Sequence, residues 1–165
     1  MTRILGIDPG SVKTCYGIIE SNGQHSRYVH SGFIKLSTQE LPEKLGEIFS
    51  VLSDVIADHQ PLEMAVEQVF LSKNASSALK LGHARGAAIT AGVNAQLKVF
   101  EYSARAVKQA TVGYGAANKE QIQHMVLRLL NIRKVLQEDE ADALAVALCH
   151  AHTGLSANIL QPNSL

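Results

Sequence analysis

The sequence predicts an α/β domain in which a mixed, five-stranded sheet is flanked by helices. The first half of the chain consists mostly of short apolar or alternating segments bounded by turn residues, which is typical of strands. The second half repeats its apolar residues at helical spacing. The predicted order of three strands, a helix, a strand, a helix, a strand and further helices fits a sheet with helices packed on its faces. The 165 residues are enough for one domain with its own core.

The first three strands are predicted at residues 3–8, 14–20 and 27–36. The first is an apolar run that ends at the turn pair Pro9-Gly10. The next two alternate in polarity, and the pair Asn22-Gly23 between them predicts a hairpin, so we expect them to be antiparallel partners. A fourth strand leads to Glu67, and a fifth covers residues 98–102.

Five helices are predicted, and several of them have recognisable ends. They cover residues 41–59, 74–96, 103–112, a segment that begins near 118, and 138–152. Asn74, Ser103 and Asn118 are typical N-cap residues, and Gln121 stands at the capping-box position after Asn118. Gly154 predicts the end of the last helix. We therefore expect a single domain over residues 1–153 and a short C-terminal tail over residues 154–165.

The composition indicates a cytoplasmic protein without a membrane span. No apolar run approaches the ~20 residues that a membrane-spanning helix needs. The N-terminus lacks a basic segment followed by an apolar signal region. Two cysteines, Cys15 and Cys149, provide no disulfide framework, which fits a reducing compartment.

The net charge of zero conceals a strong asymmetry along the chain. Residues 73–134 contain ten Lys or Arg and two acids, whereas the rest of the chain contains five basic and thirteen acidic residues. Single lysines in such a block are often no more than solvated helix faces. A basic block beside an acidic cluster is, however, what a nuclease needs, because cations neutralise substrate phosphates while carboxylates hold a metal ion.

Four acids at remote positions predict a metal site. Asp8 and Glu67 each close an apolar strand, while Asp139 and Asp142 share one face at the start of the last helix. Converging carboxylates repel each other unless cations lie between them, and Mg²⁺ or Mn²⁺ suits carboxylate oxygens. Two such ions ~4 Å apart can hold a phosphodiester between them.

A purely structural role competes with metal binding for each acid. Asp8 before Pro-Gly is a common turn residue, and acids such as Asp139 and Asp142 in a first helical turn complement the helix dipole. A structural role explains Glu67 less well, because a charge that is buried without a partner at a strand end costs free energy. A zinc site at Cys149, His150 and His152 is disfavoured because helix positions two apart point about 200° away from each other.

One aromatic residue and two lysines of the basic block are candidate nucleic-acid contacts. Phe70 lies in a polar, basic loop after Glu67, where it either packs in the core or stacks on an unpaired base. Lys108 and Lys119 lie near helix starts and are candidate phosphate contacts.

A series of motifs gives the chain a specific resemblance. The segments are Gly6-Ile-Asp-Pro-Gly10, Thr14, Tyr16-Gly17, Glu67-Gln-Val-Phe70, Lys73-Asn74, Ser77-Ala-Leu-Lys-Leu-Gly82, Ala84-Arg-Gly86, Val107-Lys-Gln109, Gln123-His-Met125 and Asp139-Glu-Ala-Asp-Ala-Leu-Ala145. Their order and spacing over residues 3–153 resemble the RuvC family of Holliday-junction resolvases. The resemblance implies a ribonuclease-H-like fold and a homodimeric, Mg²⁺-dependent endodeoxyribonuclease. Such an enzyme nicks two strands of like polarity symmetrically across a four-way DNA junction, in recombination and DNA repair.

The resemblance also implies roles for individual residues. Asp8, Glu67, Asp139 and Asp142 match the catalytic acids that bind two Mg²⁺ ions per active site, for which Mn²⁺ is a substitute. Lys119 matches a catalytic lysine that also contacts DNA. The remaining implied DNA contacts are Phe70, Lys73, Arg85 and Lys108. The implied partners are the RuvA and RuvB branch-migration proteins.

Some features depart from the family pattern, and other classes compete with it. Cys15 stands where the family usually has Gly, His83 replaces a frequent Gln, and the tail is short and uncharged. Actin-like ATPases share Gly-Ile-Asp-x-Gly, but they need a second lobe and a second glycine-rich motif that this chain lacks. A different ribonuclease-H-like nuclease, acting on RNA or RNA–DNA hybrids, is the nearer alternative. A DNA-binding protein without catalysis is disfavoured because all four acids are present.

Overall fold

The sheet has five strands in the order β3-β2-β1-β4-β5. The structure is a computed structural model that describes residues 1–10, 12–69 and 74–159, with residues 155–159 described by their backbone. The strands are β1 (Thr2–Asp8), β2 (Thr14–Ser21), β3 (Ser26–Ile34), β4 (Glu63–Glu67) and β5 (Lys98–Tyr102). β1, β2 and β3 pair antiparallel, whereas β4 pairs parallel with both β1 and β5. The predicted mixed sheet is therefore confirmed.

The predicted hairpin between β2 and β3 is also confirmed. Gly23 has a φ of 86°, the left-handed conformation that glycine adopts without strain. The side-chain oxygen of Asn22 accepts hydrogen bonds from the backbone N–H groups of Gln24 and His25, at 3.1 and 2.8 Å. This turn, together with a register shift between Ile18 and Ile19, sets the register that pairs Cys15 with Phe33, beside the end of β1.

Two helices cover one face of the sheet, and three cover the other. They are α1 (Leu41–His59), α2 (Ala75–Asn94), α3 (Ala104–Val112), α4 (Lys119–Leu129) and α5 (Glu138–Ile159). α1 and α2 enclose one hydrophobic core against the sheet, and α3, α4 and α5 enclose the second. None of the helices in the described parts of the chain is both long and apolar enough to cross a membrane.

Three helices start at the predicted N-cap residues, but α5 does not end where the sequence predicted. Asn74 and Ser103 accept hydrogen bonds from backbone N–H groups of α2 and α3, and Asn118 and Gln121 form the predicted capping box. The predicted end of α5 near His152 was wrong, because the helix continues through Gly154 to Ile159. A glycine inside a helix costs only ~1 kcal/mol relative to alanine, so it weakens a helix without ending it. The boundary between domain and tail at residue 154 stays a prediction.

Close contact between α5 and the sheet places the start of α5 at the end of β1. A Cβ added to Gly6 would lie 2.2 Å from the carbonyl oxygen of Ala143, and one added to Gly17 would lie 2.6 Å from Cγ of Leu144. Only glycine permits this approach. Since Gly6 is two residues before Asp8, the contact holds the first turns of α5 over the C-terminal edge of β1.

Candidate active site

The four predicted acids come to one edge of the sheet. β1 and β4 run parallel, so their last residues, Asp8 and Glu67, lie side by side. Asp139 and Asp142 lie in the first turns of α5 above that edge. One carboxylate oxygen from each of Asp8, Asp139 and Asp142 lies within 4.8 Å of the others. Glu67 lies close enough to Asp8 for its charge to raise the pKa of Asp8, and both acids line the same cleft, so Glu67 adjoins the cluster.

The acids open into a cleft of about 310 Å³. Asp8, Glu67 and Asp142 line it together with Lys108 of α3 and Lys119 of α4. The Nζ of Lys119 lies 3.7 Å from Asp142 and 3.9 Å from Asp139. The cleft therefore brings together two of the three predicted lysines, Lys108 and Lys119, and three of the four predicted acids.

Burial and mutual repulsion shift the pKa of the acids in the cleft. Burial raises the pKa of Asp8 to about 8, and the negative charges of Glu67, Asp142 and Asp139 contribute to this rise. Burial is also the main cause of the raised pKa of Glu67, followed by the charge of Asp142. The pKa of Asp142 rises through burial, although the nearby Lys119 opposes the rise. Without cations the cluster is therefore unfavourable in its fully ionised form.

These residues fit a hard divalent cation. The donors are carboxylate oxygens, which magnesium, manganese and calcium ions prefer. A positive ion among them would favour the ionised forms and would remove the repulsion that raises the pKa of Asp8. The cluster of Asp8, Asp139 and Asp142 can thus hold a metal ion.

Sequence reasoning missed one basic residue at the site. Lys13, in the connection between β1 and β2, places its Nζ 2.6 Å from Oδ2 of Asp139. No local motif marks Lys13; its position follows from the antiparallel pairing of Asp8 with Cys15, since a short turn brings both of its ends to the same edge of the sheet.

Arg85 lies beside the site in a position that its sequence motif did not indicate. Its Nε donates a hydrogen bond to the backbone carbonyl of Glu67 at 3.1 Å, and its Nη2 lies 2.8 Å from Oε2 of Glu101. The side chain of Arg85 is 20% exposed. Phe70 and Lys73, the other predicted DNA contacts, lie outside the described residues.

The three residues considered as zinc ligands have other surroundings in the structure. The ring nitrogens of His150 bond to the Tyr102 hydroxyl at 2.6 Å and to Glu63 at 2.8 Å. His152 turns toward the backbone carbonyl of Ala110, and Cys149 is buried. Cys15, the departure from the family pattern, is buried opposite Asp8, and burial raises the pKa of its thiol to about 12.

Comparisons with known proteins agree with one another. The sequence model of the family described as crossover junction endodeoxyribonuclease RuvC matches residues 4–150. A protein of that name from Acinetobacter baumannii is 56% identical over 160 residues, which cover 97% of this chain and 88% of the relative.

Two solved structures are similar along nearly the whole chain. The Thermus thermophilus RuvC structure matches with a TM-score of 0.84 and 33% identity, covering 94% of this chain and 97% of that one. T. thermophilus RuvC in complex with a Holliday junction substrate matches with a TM-score of 0.88 and 32% identity, covering 95% and 97%. The chain therefore belongs to the RuvC family of crossover junction endodeoxyribonucleases.

Proposed function

We propose that this protein resolves four-way DNA junctions by nicking two strands of like polarity symmetrically, in recombination and repair. The observation that carries the proposal is the convergence of Asp8, Asp139 and Asp142 within 4.8 Å, with Glu67 beside them. A relative that shares the whole fold has been solved with a Holliday junction substrate, which supports this choice of DNA.

We propose Mg²⁺ as the cofactor, with two ions per active site and Mn²⁺ as a substitute. Asp8, Glu67, Asp139 and Asp142 would hold the ions through their carboxylate oxygens. When bound, the ions would lower the pKa of the attacking water and stabilise the charge on the leaving 3′-oxygen.

The chain's own residues would position the phosphate and balance charge. Lys119, which lines the cleft beside Asp142, would offset negative charge as it builds on the phosphate. Lys108, which also lines the cleft, would bind the strand beside the scissile phosphate. The proposed remaining DNA contacts are Phe70, which would stack on an unpaired base, Lys73, and the exposed part of Arg85.

Dimerisation would give the enzyme the two-fold symmetry of paired nicks. α2 offers a face with exposed Leu79 and Val93, which are 61% and 54% exposed. Gly82 and Gly86 lie on the exposed side of the same helix, where an added Cβ would meet no atom within 4 Å. Such a face allows a second copy of α2 to approach closely in an isologous contact. We also propose RuvA and RuvB as partners, and the cytoplasm as the site of action on DNA.

The decisive experiment is nicking of a fixed four-way junction with Mg²⁺, mapped to the nucleotide. The wild type should cut two strands of like polarity at symmetric positions, and it should leave a plain duplex and an RNA–DNA hybrid of the same sequence intact. Asp8→Asn should abolish nicking but keep junction binding. Asp54→Asn, which removes an exposed carboxylate on α1, serves as the matched control and should nick normally. Preferential cutting of the hybrid would show a different ribonuclease-H-like nuclease.

A further inference from the structure

Lys13 is held over the acid cluster by three contacts. Its Nζ lies 2.6 Å from Oδ2 of Asp139 and 3.5 Å from the side-chain oxygen of Gln137. It also lies 5.7 Å from the centre of the Phe33 ring, a distance at which a cation is attracted by the ring face. Contacts from β3, from α5 and from the residue just before α5 therefore define one position for this ammonium group.

The backbone of the β1–β2 connection is built for this placement. A Cβ added to Gly10 would lie 2.1 Å from the carbonyl oxygen of Lys13, so the chain can fold back this tightly only at a glycine. The pairing of Asp8 with Cys15, and of Cys15 with Phe33, then brings Lys13 and its aromatic neighbour to the same edge as the acids.

The ion pair between Lys13 and Asp139 is weak enough for Lys13 to leave Asp139 for another partner. The two side chains are 38% and 31% exposed, and ion pairs in such surroundings contribute little net stability. Lys119 lies 3.9 Å from the other carboxylate oxygen of Asp139, so both oxygens of this acid face an ammonium group. A cation bound to Asp139 must therefore compete with lysine for the same carboxylate.

We propose that Lys13 exchanges partners during the reaction cycle. In the free protein it neutralises Asp139, and when a divalent cation occupies the acids it binds a phosphate of the junction strand next to the scissile one. The proposal rests on the proposed function for its second half only. A lysine has the reach for both tasks, because its ammonium sits on a flexible four-carbon stem.

The two roles predict effects of opposite sign for Lys13→Met. Mn²⁺ affinity of the free protein, measured by calorimetry, should rise about 2- to 5-fold, which is the size expected when a partly exposed ion pair no longer competes. Junction affinity, measured with Ca²⁺ in place of Mg²⁺, should fall, and the slope of log K against log[salt] should become shallower by about one. In EDTA, where Lys13 stays paired with Asp139, the variant should lose much less junction affinity.

Matched variants separate a specific contact from a general loss of charge. Lys13→Arg should restore junction binding. Lys98→Met removes an exposed lysine at the opposite end of the sheet, and it should change neither measurement. Mn²⁺ affinity that is unchanged or lower in Lys13→Met would overturn the competition with Asp139. An unchanged salt slope with Ca²⁺ would overturn the phosphate contact. The Mn²⁺ measurement uses no DNA, so it tests Lys13 even if the wild type fails to nick a junction.

Discussion

Asp8→Asn should make the cation-free protein more stable while it removes activity. Asparagine has nearly the shape of aspartate but cannot ionise, so the variant loses the charge that burial and three neighbouring acids disfavour. The folded protein raises the pKa of Asp8 from 3.8 to about 8. Between these values the folded protein keeps a proton that the unfolded chain releases, so the stability of the wild type falls as pH rises through this window.

The structure gives the size of the effect. Each pH unit in the window costs the wild type about 1.4 kcal/mol, so the cost between pH 3.8 and pH 7 reaches about 4 kcal/mol. This is an upper value, because Glu67 and Asp142 also take up protons as their pKa values rise. For a domain of this length, ~4 kcal/mol corresponds to a rise in Tm of roughly 10 °C at pH 7. Near pH 4 the difference should vanish.

Urea unfolding from pH 4 to pH 8 in EDTA measures this directly. Asp54→Asn is the control, and an exposed substitution of this kind should change stability by less than about 0.5 kcal/mol. Added Mg²⁺ should stabilise the wild type more than Asp8→Asn, because the ion binds the folded carboxylates. The reasoning is refuted if Asp8→Asn is no more stable than the wild type at pH 7, or if its advantage does not shrink toward pH 4.

Three further predictions concern the support of the site. Gly6→Ala should lower the free energy of unfolding by about 1–3 kcal/mol in urea, because its Cβ meets the backbone of Ala143; a wild-type midpoint would contradict that contact. Arg85→Met should slow nicking about 10- to 100-fold at saturating junction, because Arg85 donates a hydrogen bond to the backbone carbonyl of Glu67. The loss of rate should exceed the loss of junction affinity. Equal losses of rate and affinity would show that Arg85 acts only as a DNA contact. Leu79→Asp should give a monomer by light scattering at micromolar concentration. A dimer in this variant would show that the interface does not lie on the α2 face.

Much of the fold could be predicted because its signals are local. The parallel strand β4 is buried on both faces and reads as an apolar run, so Glu67 at its end stands out. The caps Asn74, Ser103 and Asn118 act within three residues of themselves, and the structure has all three.

The rest depends on contacts between segments that are remote in sequence. The ion pair of Lys13 requires the path of a tight turn and the position of α5, and neither can be read from the residues around Lys13. The two contacts of Arg85 cross from α2 to β4 and β5, so its motif indicated a basic residue but not its neighbours. α5 is longer than predicted because Gly154, which was expected to end the helix, only weakens it.

The pKa directions favour the proposed metal site over the structural roles that the sequence left open. A turn residue or a first-turn acid is stabilised in its ionised form by backbone N–H groups and by the helix dipole, so either role would lower the pKa of the carboxyl. The structure instead raises the pKa of both Asp8 and Asp142, chiefly through burial. Acids held where their own ionisation is disfavoured weaken the fold, and the close packing of α5 against Gly6 keeps them there. Such an arrangement is stable in its ionised form only with cations, so it favours a site built to bind them.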